Sequence, residues 1–310
     1  WAWGQNTNGE LGDGTNADKN FPIQIGTENH WVRIEAHVRF SQAVSANGNH
    51  WTWGNNNIGQ LGDGTTVDKY SPIQISSMDN WLNVSEGEIH STYLRSNGTL
   101  WSSGDNEYGQ LGIGNNLDKN SPVQIGSDQH WISAVSNSYF NLGLKSDGSL
   151  WAWGWNGDGQ LGDGTGTNRR SPVQVGNDHD WVSITAGFTH SMALKSNGTL
   201  WAWGSNYVGQ LGIGSFAITT SPSQVGTDHN WVSISGCGNH SLGLKSDGSI
   251  WSWGYGPSGE LGNGNFSFQP TPAQIGTDHD WVYVSAGGEY SLGLRADGSL
   301  WAWGKNENGL

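Results

Sequence analysis

The sequence predicts an all-β propeller built from four-stranded blades, and three observations predict it. The chain repeats every fifty residues without insertion or deletion, since Trp1, Trp51, Trp101, Trp151, Trp201, Trp251 and Trp301 all open a row. A fixed period of this size marks one supersecondary unit that is stacked or set in a ring. Each row also holds short alternating stretches, such as Trp181-Val182-Ser183-Ile184-Thr185 and Ser241-Leu242-Gly243-Leu244-Lys245, and apolar/polar alternation is a strand signal. Helical periodicity is absent, and turn residues separate the stretches at regular spacing.

The elements follow in order, with positions counted from the Trp that opens each row. Trp-x-Trp-Gly makes a third strand, read as positions 50 to 54 where one row passes into the next. A Gly-[Glu/Gln]-Leu-Gly block occupies positions 9 to 12. Pro recurs at position 22 in Pro-x-Gln-[Ile/Val], from Pro22 to Pro272, and predicts an outer strand at positions 22 to 25. Proline cannot donate to a central ladder, so this strand belongs at a sheet edge. The Trp at position 31 opens an inner strand (31 to 35), and a second strand follows (41 to 45). Asn47-Gly48, Asn97-Gly98, Asp147-Gly148, Asn197-Gly198, Asp247-Gly248 and Asp297-Gly298 then join second to third strand. Such pairs predict two-residue type I′ hairpins, in which both residues take positive φ.

Six rows account for residues 1–300 (1–50, 51–100, 101–150, 151–200, 201–250 and 251–300), with a partial seventh at 301–310, and the expectation is one propeller domain over 1–310. With no Met at its start and a broken last row, the chain reads as a piece of something longer.

The formal charge is −14, from 27 acidic and 13 basic side chains. Phosphate-backbone binding depends on clustered Lys and Arg, and the longest basic run here is Arg169-Arg170, so nucleic acid is not an expected partner. No apolar run approaches the ~18 to 20 residues that span a bilayer, so membrane insertion is not expected. Cys237 is the sole cysteine, which rules out an internal disulfide and a zinc site with two Cys ligands.

Antiparallel order sorts the loops onto two faces. The inner-to-second turns and the third-to-outer loops share one face, and there the rows differ and carry large side chains: Tyr108, Tyr139, Phe140, Trp155, Phe188, Tyr207, Phe216, Ile218, Tyr255, Phe266, Phe268 and Tyr290. Variable loops on a rigid scaffold commonly bind, and Tyr and Trp are favoured interface anchors. The candidate protein-binding residues are therefore Tyr108, Tyr139, Trp155, Phe188, Tyr207, Phe216, Tyr255, Phe266 and Phe268. Trp155 alone among twenty Trp stands outside the repeat positions; the other nineteen read as blade-to-blade packing.

The opposite face is acidic: Asp147, Asp247 and Asp297 lie in turns, and Glu28, Asp79, Asp128, Asp178, Asp180, Asp228, Asp278 and Asp280 precede the position-31 Trp. The pairs Asp178-His179, Asp228-His229 and Asp278-His279 carry ligand types, but one pair per blade around a ring does not converge, so no metal is expected. His90, His190 and His240 share position 40 with Phe40, Phe140 and Tyr290, an exchange that suits packing or hydrogen bonding, and no catalytic residue is expected. Gly157-x-Gly159-x-x-Gly162 opens no helix and so lacks the phosphate-cradling context. Asp13-Gly14, Asp63-Gly64 and Asp163-Gly164 lack the recurring carboxylates of a calcium loop, and no cofactor is expected. The sequons at Asn83, Asn97, Asn197, Asn239 and Asn265 matter only in a eukaryotic secretory setting.

Trp-x-Trp-Gly, Gly-Gln-Leu-Gly, Ala186-Gly187-Phe188-Thr189-His190-Ser191 and Leu-Lys-Ser-Asn-Gly together resemble the regulator of chromosome condensation repeat family, over essentially the whole chain. That resemblance implies a seven-bladed propeller. The strand inventory closes better at six, with one third strand in excess at Trp1 or Trp301; seven is the expectation and six the alternative. The family's nucleotide-exchange member, which acts on a small nuclear GTPase, implies basic tails and an inserted loop, and neither is here. Its plant UV-B photoreceptor implies Gly-Trp-Arg-His-Thr blocks, whereas this chain has Gly187-Phe188-Thr189-His190-Ser191. A secreted bacterial relative that inhibits β-lactamase suits an acidic, aromatic-decorated ring. The expected function is a non-enzymatic protein-binding or structural module, part of a larger extracellular or cell-surface bacterial protein. The alternatives are an intracellular scaffold or small-GTPase regulator, and a secreted enzyme inhibitor.

Overall fold

The computed structural model describes residues 1–26, 31–36, 39–75 and 80–306. Every sheet is antiparallel and meanders in chain order. One blade shows the plan: the inner strand Trp181–Ala186 pairs with the second, His190–Lys195, which pairs with the third, Leu200–Gly204, which pairs with the outer, Thr219–Gln224. Five sheets have four strands, running from residues 31, 81, 131, 181 and 231, and are called blades 1 to 5. Blade 6 holds Trp281–Ala286, Tyr290–Arg295 and Leu300–Gly304, while Ala2–Gly4 pairs with Lys19–Ile23 alone.

The described strands thus make six blades, not seven. Each inner strand begins at a position-31 Trp, and only Trp31, Trp81, Trp131, Trp181, Trp231 and Trp281 stand there. The segment at Trp301 supplies the third strand of blade 6, so the surplus third strand is Ala2–Gly4.

The outer strand begins earlier than the Pro signal suggested, at Thr219 in blade 4. Its ladder runs Trp201↔Gln224 and Ala202↔Ser223, then shifts before Gly204↔Thr219. Pro222 lies inside that irregularity, at the sheet edge, where a missing N–H costs no central pairing.

The hairpins are not type I′. Gly198 has φ +78°, but Asn197 is not among the residues with positive φ. Gly198 N donates to Lys195 O (2.9 Å) and Lys195 N to Thr199 O (3.1 Å), which closes a three-residue loop of a type I turn followed by a left-handed Gly. Asn197 is selected by its side chain instead: its Oδ1 accepts from Thr199 N at 3.1 Å and Thr199 Oγ1 at 2.7 Å.

The chain divides into two compact units, one from Trp1–Ser146 with Asn168–Pro172 and one from Asp147–Thr167 with Val173–Asn306. Within each, the core lies between successive blades. In the first, Val44 of blade 1 packs with Trp81, Val84 and Tyr93 of blade 2. In the second, Met192, Leu194, Leu200 and Leu211 pack with Trp231, Ile234 and Trp253. The indoles divide by position. Trp153, Trp203 and Trp253 are fully buried, and Trp181 and Trp231 nearly so, whereas Trp51, Trp151, Trp201 and Trp251 are half-buried.

A shared carbonyl fastens blade 4 to blade 3 and blade 6 to blade 5. Trp203 Nε1 and Ser191 Oγ both donate to Gln160 O, at 2.9 and 2.7 Å. Trp303 Nε1 and Ser291 Oγ converge likewise on Glu260 O, both at 2.8 Å. The Gly after Trp-x-Trp is required by close approach: at Gly204, with φ +102°, a Cβ would lie 2.6 Å from Thr189 O.

Candidate protein-binding face

Two loop types do emerge together. Within blades, Asp105 N donates to Ile89 O (3.0 Å), Ser205 N to Thr189 O (2.9 Å) and Tyr255 N to Asn239 O (2.9 Å). Between blades, Glu88 N donates to Ser138 O (3.1 Å) and Phe188 N to Gly238 O (3.0 Å), so neighbouring inner turns are tied to one another. The aromatic side chains therefore stand on loops whose backbone is fixed by hydrogen bonds.

In the first unit, Tyr108 and Tyr139 meet edge to face with ring centroids 5.4 Å apart, both half-buried. Burial, and next the Glu88 carboxylate, hold the Tyr139 phenol above its ordinary pKa. Asp105 lies beneath and is also raised, first by burial and then by Asp118. Sequence alone does not single out Glu88 and Asp105, because nothing in their rows marks them; the signal available is that Asp105 shares the loop of Tyr108 and that Glu88 lies in an inner turn of the same kind as that of Tyr139.

In the second unit, Tyr255 and Phe268 meet with ring centroids 5.6 Å apart and planes tilted by 34°. Phe266 is 72% exposed, Tyr207 66%, Phe216 48% and Phe268 43%. Phe188 is half-buried. Trp155 lies back on its own loop, where a Cβ at Gly157 would sit 2.6 Å from its Cζ2. The structure thus brings Tyr108 to Tyr139 and Tyr255 to Phe268, and presents Tyr207, Phe216 and Phe266 singly. Phe140 is not on the surface at all; it starts the second strand of blade 3 and is fully buried.

The position-40 histidines are interior links. His190 Nε2 lies 3.0 Å from Ser241 Oγ, and His240 Nε2 lies 2.9 Å from Ser291 Oγ. Ser241 Oγ gives its one proton to Gln210 O (2.9 Å), so it must accept from the imidazole, which fixes the Nε2–H tautomer. Burial lowers the His190 pKa to about 3, with His240 a smaller contribution, and lowers that of His240 to about 4.

On the opposite face the carboxylates are engaged. Lys195 Nζ lies 2.7 Å from Asp178 and 3.1 Å from Asp180, and Lys245 Nζ 2.7 Å from Asp228. His179 Nδ1 faces Asp147 O at 3.2 Å, across to the neighbouring hairpin. Glu28 and Asp79 lie outside the described residues. Among the described residues no three His, Cys, Asp or Glu gather as metal ligands, and no helix is long and apolar enough to cross a membrane.

Four-stranded meanders in tandem, pinned blade to blade by indoles, define a β-propeller of internal repeats. The chain belongs to the regulator of chromosome condensation (RCC1) repeat family, whose repeat matches residues 1–44, 47–94, 97–144, 147–194, 197–244 and 247–294. A second description of the repeat matches 131–160, 181–210 and 281–310. Among solved structures, human WBSCR16 aligns with TM-score 0.88 at 22% identity, covering 99% of this chain and 88% of that one. Yeast RCC1 (Prp20), solved bound to Kap60, gives 0.88 and 22%, covering 99% and 78%. Prp20p of Saccharomyces cerevisiae, described together with its binding to Gsp1p and histones, gives 0.87 and 22%, covering 99% and 81%. At this identity the likeness is one of fold. No curated protein matches the chain significantly in sequence.

Proposed function

We propose that this chain is a protein-binding scaffold that acts without covalent chemistry, a small-GTPase regulator being its most specific form. The carrying observation is the set of exposed aromatic side chains, Tyr207, Phe216, Phe266 and Phe268, on loops of one face. Solvent-facing aromatics on an ordered frame bury large area at little entropic cost when a partner arrives. Glu88, whose carboxylate lies beside Tyr139, adds a charge that favours basic side chains. The relatives support the scaffold or regulator form, since yeast RCC1 was solved with Kap60 and Prp20p is described binding Gsp1p and histones. A surface or secreted setting is the second reading, supported by composition alone: 49 Gly, 20 Trp and few basic residues.

The test is biolayer interferometry of the immobilised chain against a panel of purified small GTPases, nucleotide-free and loaded. Tyr207→Ala/Phe266→Ala/Phe268→Ala, with unchanged circular dichroism, is expected to weaken capture at least about tenfold, as expected for central anchors. Undiminished capture by the folded triple variant rejects the aromatic face. No GTPase binding rejects the regulator form.

A further inference from the structure

Among the described residues, blades 2 to 6 each seat a cation of their own against indoles, and blade 1 does not. The side chain at position 45 is Arg95, Lys145, Lys195, Lys245 or Arg295 in blades 2 to 6. Arg95 lies 5.5 Å from the Trp81 ring centroid and Lys145 4.8 Å from Trp131. Lys195 lies 4.8 Å from Trp181 and 5.0 Å from Trp201, Lys245 4.7 Å from Trp231 and 3.7 Å from Trp251, and Arg295 4.6 Å from both Trp281 and Trp301. In blade 1 the residue is Ser45, whose hydroxyl turns into the hairpin, 2.6 Å from Asn47 Oδ1. The two indoles are nonetheless in place: Trp31 and Trp51 have centroids 5.7 Å apart at 88°, against 6.0 Å at 82° for Trp181 and Trp201. Both are half-buried, whereas Trp81 and Trp181 are each only 3% exposed.

We propose that the Trp31/Trp51 pair is an open cation site that takes an alkylammonium group from another molecule, either a lysine side chain or a small quaternary ammonium. Indole faces attract such groups through the ring quadrupole, and the other blades show that this geometry accepts a cation. The pair is preformed, so a ligand need not order it. The formal charge of −14 favours a positive visitor. The site lies at the hairpin end of the blade and is separate from the aromatic loops proposed above.

The experiment is a titration of the full chain, 15N-labelled at tryptophan, following the indole Nε1–H signals. The probes are Nα-acetyl-lysine amide, choline, and 3,3-dimethylbutanol as the uncharged isostere of choline. Saturable shifts confined to the Trp31 and Trp51 signals are expected, with affinity about millimolar and choline bound roughly threefold to tenfold more tightly than the alcohol. Ser45→Lys, which installs the cation that other blades carry, is expected to abolish the response while the chain stays folded. Preference between the lysine derivative and choline identifies the source, and either supports the site. Equal binding of the alcohol, an undiminished response in Ser45→Lys, or no saturable shift overturns it.

Discussion

Tyr93 and Ser103 share a hydrogen bond of 2.6 Å at a point where the other third strands carry an indole. Position 3 of the row is Trp in Trp53, Trp153, Trp203, Trp253 and Trp303, and position 43, diagonal to it on the neighbouring strand, is then Ala or Gly: Ala43, Gly143, Ala193, Gly243, Gly293. At Gly243 a Cβ would lie 2.5 Å from Trp231 and 3.3 Å from Trp253, so indole and small residue go together. Blade 2 inverts the arrangement, and Tyr93, fully buried, fills the volume that Trp vacates. Its hydroxyl and that of Ser103 both reach Gln60 O at 3.4 Å, the carbonyl that an indole N–H holds elsewhere.

The pair should therefore be strongly non-additive. Tyr93→Ala alone opens a cavity and is expected to destabilise by about 3 kcal/mol. Ser103→Trp alone overpacks, at about 1 to 3 kcal/mol. Together they restore the arrangement of the other blades, so urea denaturation should find the double variant at least about 2 kcal/mol more stable than the sum of the singles. Simple additivity would show that the two residues do not exchange volume.

The Lys195 cage can be dissected in the same way. Its Asp178 partner is 57% exposed, so that ion pair is screened and worth about 0 to 1 kcal/mol. Two indole faces around a stem that is itself only 11% exposed are the larger contribution. Asp178→Asn should change thermal stability little, Lys195→Arg should be tolerated as Arg295 is, and Lys195→Ala should lose about 1 to 2 kcal/mol. A larger loss from Asp178→Asn than from Lys195→Ala would invert this ranking.

The fifty-residue ruler made the propeller and its faces legible, because period and alternation report backbone geometry directly. The count of blades was legible too, in the six position-31 tryptophans, but the resemblance argued for seven. What stayed hidden was contact between rows. Nothing in the order of residues reveals that His190 and Ser241, fifty-one apart, touch, or that Lys195 sits between Trp181 and Trp201. The aromatic face was half legible: loop position shows which residues can be exposed, while the inward fold of Trp155 and burial of Phe140 depend on local packing.

Acid should destabilise the fold through its interior imidazoles. His50, His190 and His240 have pKa values lowered by burial from 6.5 to about 3, 3 and 4. A depressed folded-state value means the unfolded chain binds more protons below about pH 6.5, so stability is complete above that pH and is lost as pH falls toward 4. Each group contributes about 1.4 kcal/mol per pH unit in that window. His190→Gln, whose amide can still donate to Ser241, should reduce the slope of unfolding free energy between about pH 4 and 6 by one proton. An unchanged slope would exclude His190 from the acid response.

The hairpins should distinguish Asn from Gly. Asn197→Asp is expected to be neutral, since Asp247 accepts from Ser249 in the same way, at 3.0 and 2.6 Å. Asn197→Ala loses two acceptor contacts, at about 1 kcal/mol. Gly198→Ala is expected to cost more, above about 2 kcal/mol, since the residue has φ +78° and its Cβ would lie 2.1 Å from His229 O. Equal melting temperatures for the two alanine variants would contradict that order.

Trp155 separates a binding anchor from a loop support. Phe266 at 72% and Tyr207 at 66% exposure can be truncated with little loss of packing, so each alanine variant should stay within about 0.5 kcal/mol of the parent chain. Trp155 covers Gly157 and is half-buried, so Trp155→Ala should destabilise by about 1 to 2 kcal/mol and loosen the 155–160 loop in hydrogen exchange. If its loss leaves stability and exchange untouched but removes partner binding, Trp155 is an anchor like its neighbours. If Tyr207→Ala proves the destabilising change, the division between presented and supporting aromatics fails, because it rests on which rings the loops already cover.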